Sequence, residues 1–579
     1  MSLDKSIVIT DADKGTAVVI QNVDDYRRKV NEILATKGKF ARLDNDPTVD
    51  REKYLYGLLH RMSSETDYLG RPKQHHMATV VCDRVSPSGS RAGVLYGLPK
   101  IHKDGIPIKP IISAVNTYNY ELAKYLVEIL SPLVNNEFTV RDTYEFVNKA
   151  SNLNPEIDRF MASFDVESLF TNVPTKETID LILDLAFAKD NVFHGLERKD
   201  LKKLLIICTQ ESHFQSNGVF YDQVDGVSMG SPLGPLFANV FMANFEKRHM
   251  PKLRELGVKL WLRYVDDIFV TLNDNEETSA LLEFMNRQHP NLRFTTELED
   301  NNILPFLDTC VIRRVNKYCT TIYRKKTFTG VYLNWTSLTS RKYKIGLIRS
   351  LADRIWKICT EEKERETELV NLRTILSRND YPTDVVEQCI TRYIAGKIKP
   401  AEQTPPEKLH KRFIKLPYVG RSCDDFAFQL KKLVNKNLPD VELTIAFQAL
   451  MPIGKLFPFK DNIKNVEDRF LVVYSLKCST CNAEYIGKTR RILRHRLKEH
   501  MTDPKSACRD HELKNQGHHI NHRGVEILDS ADNDLKLQVK ECLHIMKRKP
   551  FLNKQLNAQN EFDLKTITIS TYPQKRTNK

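Results

Sequence analysis

Two adjacent carboxylates, Asp266 and Asp267, sit inside an apolar run, with Leu260-Trp261-Leu262 before them and Ile268-Phe269-Val270 after. Charges placed among apolar side chains are costly unless a cation or base compensates them. The stretch WLRYVDDIFV predicts two strands meeting at a turn, with the aspartates at its tip. A solvated acidic turn satisfies the same pattern, so a third carboxylate and a substrate-facing loop must decide. Upstream, Phe160-Met161-Ala162-Ser163-Phe164-Asp165-Val166 predicts a strand whose end delivers Asp165. Three carboxylates so placed suit two Mg2+ ions, which take oxygen ligands and can clamp an attacking hydroxyl and a leaving pyrophosphate. Between them, residues 226–235 (GVSMGSPLGP) hold three glycines and two prolines ahead of the apolar, helix-like LFANVFMANF. Such a loop lets backbone approach a ligand closely, which makes Gly230, Ser231 and Pro232 candidate substrate contacts.

FDVESLF, GVSMGSPLGP and YVDD, in this order, resemble motifs A, B and C of reverse transcriptases. The resemblance implies a right hand of fingers, palm and thumb, with Asp165, Asp266 and Asp267 holding two Mg2+. It also implies that Phe170 is the bulky residue that excludes a ribose 2′-hydroxyl, so that dNTPs are the substrates. Further blocks are similar to those of Penelope-like retroelements: DADKG at 11–15, LYGLPKIHK at 95–103, IKPIIS at 108–113 and RKKTFTGVYLNW at 324–335. In that family an Arg often stands where this chain has Lys109. The resemblance places Lys109 on the incoming triphosphate, and a solvated loop lysine is the other reading.

A second set of residues lies near the C-terminal end. Tyr474 belongs to a predicted strand at 469–476 and Tyr485 to another at 483–487. In the helix expected from Arg490 to Met501, Leu493 and Leu497 share one face while Arg496 and His500 share another. Leu535, Val539 and Leu543 form a helical stripe with Glu541 at its edge, and Asn553 follows. Together these resemble the GIY-YIG endonuclease domain, although Val472-Val473-Tyr474 lacks the usual glycine and isoleucine of the first motif. The resemblance implies one divalent cation, Mg2+, on Glu541, a tyrosine-assisted water attacking a phosphodiester, and Arg496 stabilising the phosphorane-like transition state. His500 and Asn553 match further polar positions. Cys478 and Cys481 with His511 and His518 give C-x2-C…H-x6-H, a closed structural Zn2+ site. His500, His519 and His522 compete for the histidine places, and a redox CxxC has no thioredoxin-like context here.

The elements that must position these groups imply an α+β multidomain chain, and 579 residues suggest three or four modules. Residues 1–159 are expected to form fingers and the transition to the palm, with strands in SIVIT and TAVVI and helices in DDYRRKVNEILAT and YELAKYLVEILSPLVN. The palm spans 160–320 and closes on the strand pair ILPFLDTCVI. A helical thumb follows at 321–398, where Ile345, Ile348, Leu351, Ile355 and Ile358 recur every three or four residues. Residues 399–465 form a linker module, opening on KPAEQTPPE and containing a helix (FAFQLKKLVNK) and a strand (ELTIAF). Residues 466–579 form the small α/β nuclease domain with its zinc insert.

Charge is unevenly spread. Residues 401–579 carry 33 Lys and Arg against 21 Asp and Glu, nearly all of the net +14. Between Asp308 and Asp353 there are ten Lys and Arg and no acid, interleaved with Tyr318, Tyr323, Phe328, Tyr332, Trp335 and Tyr343. Cations hold phosphates and aromatic rings pack on sugars and bases, so Arg324, Lys325, Lys326, Arg341, Lys342 and Lys344 are candidates for a template–primer surface. A solvated basic face is the alternative. No run of ~20 apolar residues marks a membrane span. The chain begins without an apolar signal segment, and its odd count of eleven cysteines argues against a disulfide framework. A reducing intracellular compartment is expected, and the nucleus is where a DNA target would be met.

The expected activity is therefore an RNA-directed DNA polymerase and DNA endonuclease of a retrotransposon. It would nick double-stranded target DNA and copy the element's template RNA from the exposed primer 3′ end, by target-primed reverse transcription. The alternative is a telomerase-like enzyme that extends existing 3′ ends, its C-terminal domain serving only to bind nucleic acid. A repair nuclease with an inert palm has no need of Asp165, Asp266, Asp267 and Phe170 together. A non-enzymatic RNA-packaging protein needs only charge clusters.

Overall fold

A computed structural model of the chain describes residues 4, 6–15, 17–67, 69–134, 136–398, 410–449, 466–531 and 533–553. The linker composition expected at 399–407 lies outside these residues. The architecture is mixed α/β. At its centre is a four-stranded antiparallel sheet in the order Leu260–Tyr264, Asp267–Leu272, Phe160–Val166, Phe294–Leu298.

Alternation along those strands assigns each side chain a face. Ala162, Phe164 and Val166, with Ile268, Val270 and Leu272, enter a large core against the helices Tyr120–Leu130, Thr175–Ala186, Arg198–Thr209 and Gly234–Glu255. The intervening residues point the other way. Met161 and Phe269 enter a second core with Phe146, Leu304 and Phe306. Asp165 and Asp267 lie on this second side, beyond the last apolar residue of each strand. The sheet is thus covered on both faces along its three strands Leu260–Tyr264, Asp267–Leu272 and Phe160–Val166, whereas the edge strand Phe294–Leu298 is exposed beyond Phe294.

Before the central sheet come a hairpin, Ile7–Asp11 with Val18–Asn22, and a five-stranded sheet. In that sheet Gly93–Pro99 pairs with Ile108–Ser113 on one side and, in parallel, with His213–Ser216 on the other. After the central sheet, Ile303–Phe306, Thr309–Arg313 and Tyr318–Ile322 form a three-stranded sheet. The helical period at 341–396 resolves into three helices, Arg341–Ile358, Glu362–Arg378 and Thr383–Ile398. They share a core of Ile348, Ile355, Leu372, Leu376 and Ile390.

Two parallel strands, His410–Tyr418 and Val441–Ala449, are joined by the helix Arg421–Asn437, the crossover that parallel pairing requires. The last module is a sheet in the order Glu484–Thr489, Val472–Lys477, Glu526–Ser530, with helices Leu493–Thr502, Ala507–Lys514 and Asp534–Arg548 around it. In the final helix the structure reverses the expected stripe. Leu535, Val539 and Leu543 are exposed, whereas Leu537 and Ile545 are buried. Glu541 lies midway between Leu537 and Ile545 at four-residue spacing, so it belongs to the inward face. Among the described residues no helix is long and apolar enough to cross a membrane.

Candidate active sites

Asp165 and Asp267 are direct cross-strand partners, and Asp266 occupies the turn between Leu260–Tyr264 and Asp267–Leu272. The Val166 N–H donates to the Asp266 carbonyl at 3.1 Å, tying the turn to the neighbouring strand. Burial raises the Asp267 carboxyl to about 6, with Asp266 and then Asp165 adding to the rise. Burial and Asp266 raise Asp165 as well. Three mutually repelling carboxylates on neighbouring strands form a donor set of hard oxygens, and the residues fit Mg2+.

Val265, inside the turn, is left-handed at φ 57°, which is strained for a β-branched residue. What holds it is a buried ion pair that sequence reasoning missed. Arg263 and Glu246 are both fully buried, with Nε to Oε1 at 2.6 Å. The guanidinium also donates to the Val265 carbonyl at 3.1 Å, to Asn239 Oδ1 at 2.9 Å and to Thr139 Oγ1 at 3.1 Å. Glu246 further accepts from Trp261 Nε1 at 2.9 Å and from Asn136. A signal was available: an arginine in an apolar strand and a glutamate in an apolar helix each need a buried partner.

The 226–235 loop lies against this site. Val227 N–H donates to the Phe170 carbonyl at 2.7 Å, and a Cβ on Gly234 would meet the Phe170 ring at 3.3 Å. Gly230 has φ +124°, and a Cβ there would fall 2.2 Å from the Ile112 carbonyl oxygen, so only glycine fits. Ile112 N–H donates to the Met229 carbonyl at 2.9 Å, which joins the loop to the five-stranded sheet. Ser231 and Pro232 line a small recess beside Ser228 and Ile112. Lys109 does not stand free: its Nζ pairs with Asp13 at 3.1 Å.

Residues 101–300, which hold all three carboxylates and the loop, match the family model described as "Reverse transcriptase (RNA-dependent DNA polymerase)". The chain contains a reverse transcriptase domain. Residues 331–391, within the three-helix region, match a second family model, "Animal helix-turn-helix domain". No curated protein matches the chain. Among solved structures, a telomerase of Candida albicans in complex with a TWJ fragment of telomeric RNA is 10% identical, with TM-score 0.39 over 68% of this chain and 72% of that one. An apo telomerase of Candida tropicalis is 11% identical, with TM-score 0.37 over 69% and 68%. The Sicinivirus 3Dpol RNA-dependent RNA polymerase is 10% identical, with TM-score 0.37 over 69% and 94%.

The basic window following the reverse transcriptase domain divides in two. Arg324 is paired to Glu368 through both guanidinium nitrogens, Lys344 is buried with its Nζ on the carbonyls of Trp335 and Ser337, and Lys342 donates to the Ile445 carbonyl. These three are occupied by intramolecular contacts rather than offered to a duplex. Lys325 and Lys326 line the active-site cavity, and Arg341 stacks over the Trp335 ring at 5.6 Å.

In the C-terminal module Tyr474 is fully buried, its hydroxyl 2.7 Å from His500 Nε2 and 3.3 Å from the Arg496 Nε that donates to it. The Tyr485 ring lies 4.9 Å from that of His500. Ser506 Oγ, 2.6 Å from His500 Nδ1, holds the other side of the imidazole and had no sequence signal. Burial first, then Arg496, push His500 down to about 4, so it is neutral at pH 7. Burial also raises Tyr474, which keeps the phenol protonated, and raises Glu541, to which Lys488 and Arg496 are close enough to oppose the rise. Asn553 directs its side chain to backbone. It accepts from the Ile486 N–H at 2.9 Å and donates to the Ile486 carbonyl at 2.7 Å, fastening the chain to a strand.

Cys478, Cys481, His511 and His518 converge, with one ligand atom from each lying within 4.8 Å of the others. The separations are 3.8 Å for Cys478 Sγ to His518 Nδ1, 3.4 Å for Cys481 Sγ to His511 Nε2, and 3.2 Å between the two imidazole nitrogens. Zn–S near 2.3 Å and Zn–N near 2.0–2.1 Å give tetrahedral edges of about 3.3–3.8 Å, so the donors fit zinc. Burial works against the Cys478 thiolate, but backbone N–H groups of Cys481 and Thr480 outweigh it and bring the thiol down to about 6.

Proposed function

We propose that this chain is a retrotransposon reverse transcriptase of the Penelope-like kind, with a GIY-YIG endonuclease at its C-terminal end, that makes its own primer. The reading is carried by one observation: a single chain holds both the carboxylate triad of a reverse transcriptase domain and a separate cluster of Tyr474, His500, Arg496 and Glu541. The nuclease would nick double-stranded DNA, and the polymerase would extend the exposed 3′ end on an RNA template, in the nucleus. A telomerase-like enzyme shares the first site but has no use for the second.

In the polymerase, two divalent cations held by Asp165, Asp266 and Asp267 would offset charge on the attacking 3′-oxygen and the departing pyrophosphate. The chain's own contribution is position. Arg263 and Glu246 fix the turn that bears Asp266, and the Gly230 loop seats the nucleotide between the two sheets. Phe170, packed on Gly234, limits the space at the sugar.

In the nuclease, a divalent cation on Glu541 would polarise the phosphodiester. The Tyr474 hydroxyl and neutral His500 share a hydrogen bond, and Ser506 keeps the imidazole oriented, so the phenol is held in place beside the water it would assist. Arg496 stands beside that hydroxyl, where negative charge would develop on the phosphoryl oxygens. Zn2+ on the Cys478 cluster would fasten the insert.

The coupled assay supplies supercoiled DNA, RNA template and dNTPs together. Wild type should yield cDNA joined to the target. Asp266→Ala should nick without synthesis, and Glu541→Ala should extend a supplied primer without nicking. Nicking that survives Glu541→Ala, or synthesis that survives Asp266→Ala, would reject the corresponding site.

A further inference from the structure

Parallel strands joined by a helical crossover belong to sheets that are covered on both faces. The module at 410–449 departs from this. His410–Tyr418 and Val441–Ala449 form a two-stranded sheet with the helix Arg421–Asn437 between them in sequence. Its register pairs Ile414 with Ile445 and Leu416 with Phe447. Leu416, Ile445 and Phe447 pack with Ala427, Leu430 and Val434 of that helix, so this face is covered. Alternation puts Lys411, Phe413 and Lys415 on the opposite face, with Thr444 paired to Phe413 and Ala446 to Lys415. Among the described residues that face is open: Phe413 is 70% exposed, and Lys411 and Lys415 are exposed on either side of it. A lone phenylalanine at a surface is ordinary, but one at the centre of an uncovered parallel sheet face is not.

Charge selects the partner. Residues 410–423 hold four Lys and Arg and no acid, and Glu442 is the only acid in the two strands. Glu442 lies 3.9 Å from Lys411 with both side chains largely exposed, so that pair is weak. Lys415 has no ion pair among the described residues. Addition of a protein strand to the edge is disfavoured by these lysines and by Pro417, which has no N–H to donate. A single-stranded nucleic acid needs what is present: a ring on which a base stacks, and cations that follow its phosphates. Side chains on one face recur every ~6.6 Å, a step comparable to that between successive phosphates of an extended strand. A duplex keeps its bases stacked on one another and has none to offer Phe413. The module is tied to the helices that follow the palm. Lys342 donates to the Ile445 carbonyl, and the Tyr343 hydroxyl accepts from the Phe447 N–H at 2.8 Å.

We propose that Lys411, Phe413 and Lys415 form a binding face for single-stranded RNA, separate from the carboxylate site. Phe413 stacks on one base while the lysines hold the phosphates on either side. RNA is the occupant because the polymerase reading, on which this choice rests, supplies a long single-stranded template.

The test uses the full chain as wild type, Phe413→Ala, Phe413→Trp, Lys415→Gln and Phe428→Ala, with thermal melting to show that each folds. Phe428, 66% exposed on the helix that covers the other face, is the control. The probe is a short fluorescent oligouridine, with blunt primer–template duplex in excess to fill the polymerase cleft. Its Kd should rise roughly tenfold in Phe413→Ala, and change less than about twofold in Phe428→Ala and Phe413→Trp. Lys415→Gln should lower the slope of log Kd against log salt by about 0.7, the share of one phosphate. Equal losses in Phe413→Ala and Phe428→Ala, or no loss in either, would overturn the face. So would a loss confined to an oligodeoxythymidine probe, or a wild-type dimer that Phe413→Ala dissociates, since a DNA strand or a second copy would then be the occupant. If wild type extends no primer while RNA binding still falls in Phe413→Ala, the polymerase reading fails and the face stands.

Discussion

Replacing Arg263 by methionine should separate the stability of the reverse transcriptase domain from its catalysis. Arg263 and Glu246 are both fully buried, so the single change strands a carboxylate in the core. Leaving one partner of a buried pair uncompensated costs about 3–5 kcal/mol. The change also releases the Val265 carbonyl, which the guanidinium holds at 3.1 Å while Val265 is at φ 57°. Such strain, of about 1–3 kcal/mol, persists only when the surroundings impose it, so the freed turn should relax and carry Asp266 with it. The double variant Arg263→Met/Glu246→Gln removes the stranded charge while the Gln oxygen can still accept from Trp261, one of the two donors that Glu246 serves with separate oxygens. It should recover stability to within about 1–2 kcal/mol of wild type, because replacing a buried pair is often close to neutral. It does not restore the bond to Val265. The kcat of primer extension should thus stay down by roughly 10- to 100-fold, with the KM for dNTP nearly unchanged, as expected from an ångström-scale misplacement of a metal-holding group. Urea unfolding and steady-state extension measure the two quantities on the same preparations. A double variant that regains both stability and kcat would show that the turn does not depend on Arg263, and the reasoning would fail.

Other changes bear on separate parts of the molecule. Phe170→Ala should increase incorporation of ribonucleotides relative to deoxyribonucleotides by roughly tenfold or more, if the ring packed against Gly234 has the proposed role of excluding a ribose 2′-hydroxyl; an unchanged ratio in competition assays would remove Phe170 from that role. Gly230→Ala should cost several-fold in soluble yield and activity, because its methyl would meet the Ile112 carbonyl oxygen at 2.2 Å. Mass spectrometry under native conditions should find one zinc per chain, lost on Cys481→Ser, and a chelator should unfold the insert while extension of a supplied primer persists. His500, held near 4 against 6.5 for a free imidazole, binds fewer protons in the folded than in the unfolded chain between those values. Stability of the C-terminal module should therefore rise with pH from 4 to 6.5 and level off above, by about 3 kcal/mol in all. A His500→Gln variant with the same pH profile would show that another group is responsible.

Much of the polymerase was legible because its chemistry is local. Strand alternation alone puts Asp165 beyond the apolar face of Phe160–Val166, and the turn in WLRYVDDIFV follows from two apolar runs broken by charge. The helices and hairpins that carry these residues announce themselves by period, as in Tyr120–Leu130 and Gly234–Glu255. The C-terminal helix shows where period fails. Asp534–Arg548 carries apolar residues on more than one face, so spacing favoured Leu535, Val539 and Leu543 when burial falls on Leu537 and Ile545. The choice is made by the sheet beneath, which has room for one face only.

What the sequence determined by itself, then, is which residue types are present and which short elements bear them: three carboxylates, a glycine-rich loop, two tyrosine strands and a CxxC. Tertiary structure alone decided their partners. It selected His511 and His518 from five histidines near the cysteines, because only those two reach Cys481 and Cys478. It consumed Arg324, Lys342 and Lys344 in internal contacts and left Lys325 beside Asp267. It also slid Arg263 beneath the catalytic turn. The physical reason is common to all of these. A side chain's charge is written in the sequence, but its energy depends on what lies within a few ångströms, and those neighbours come from elements far along the chain.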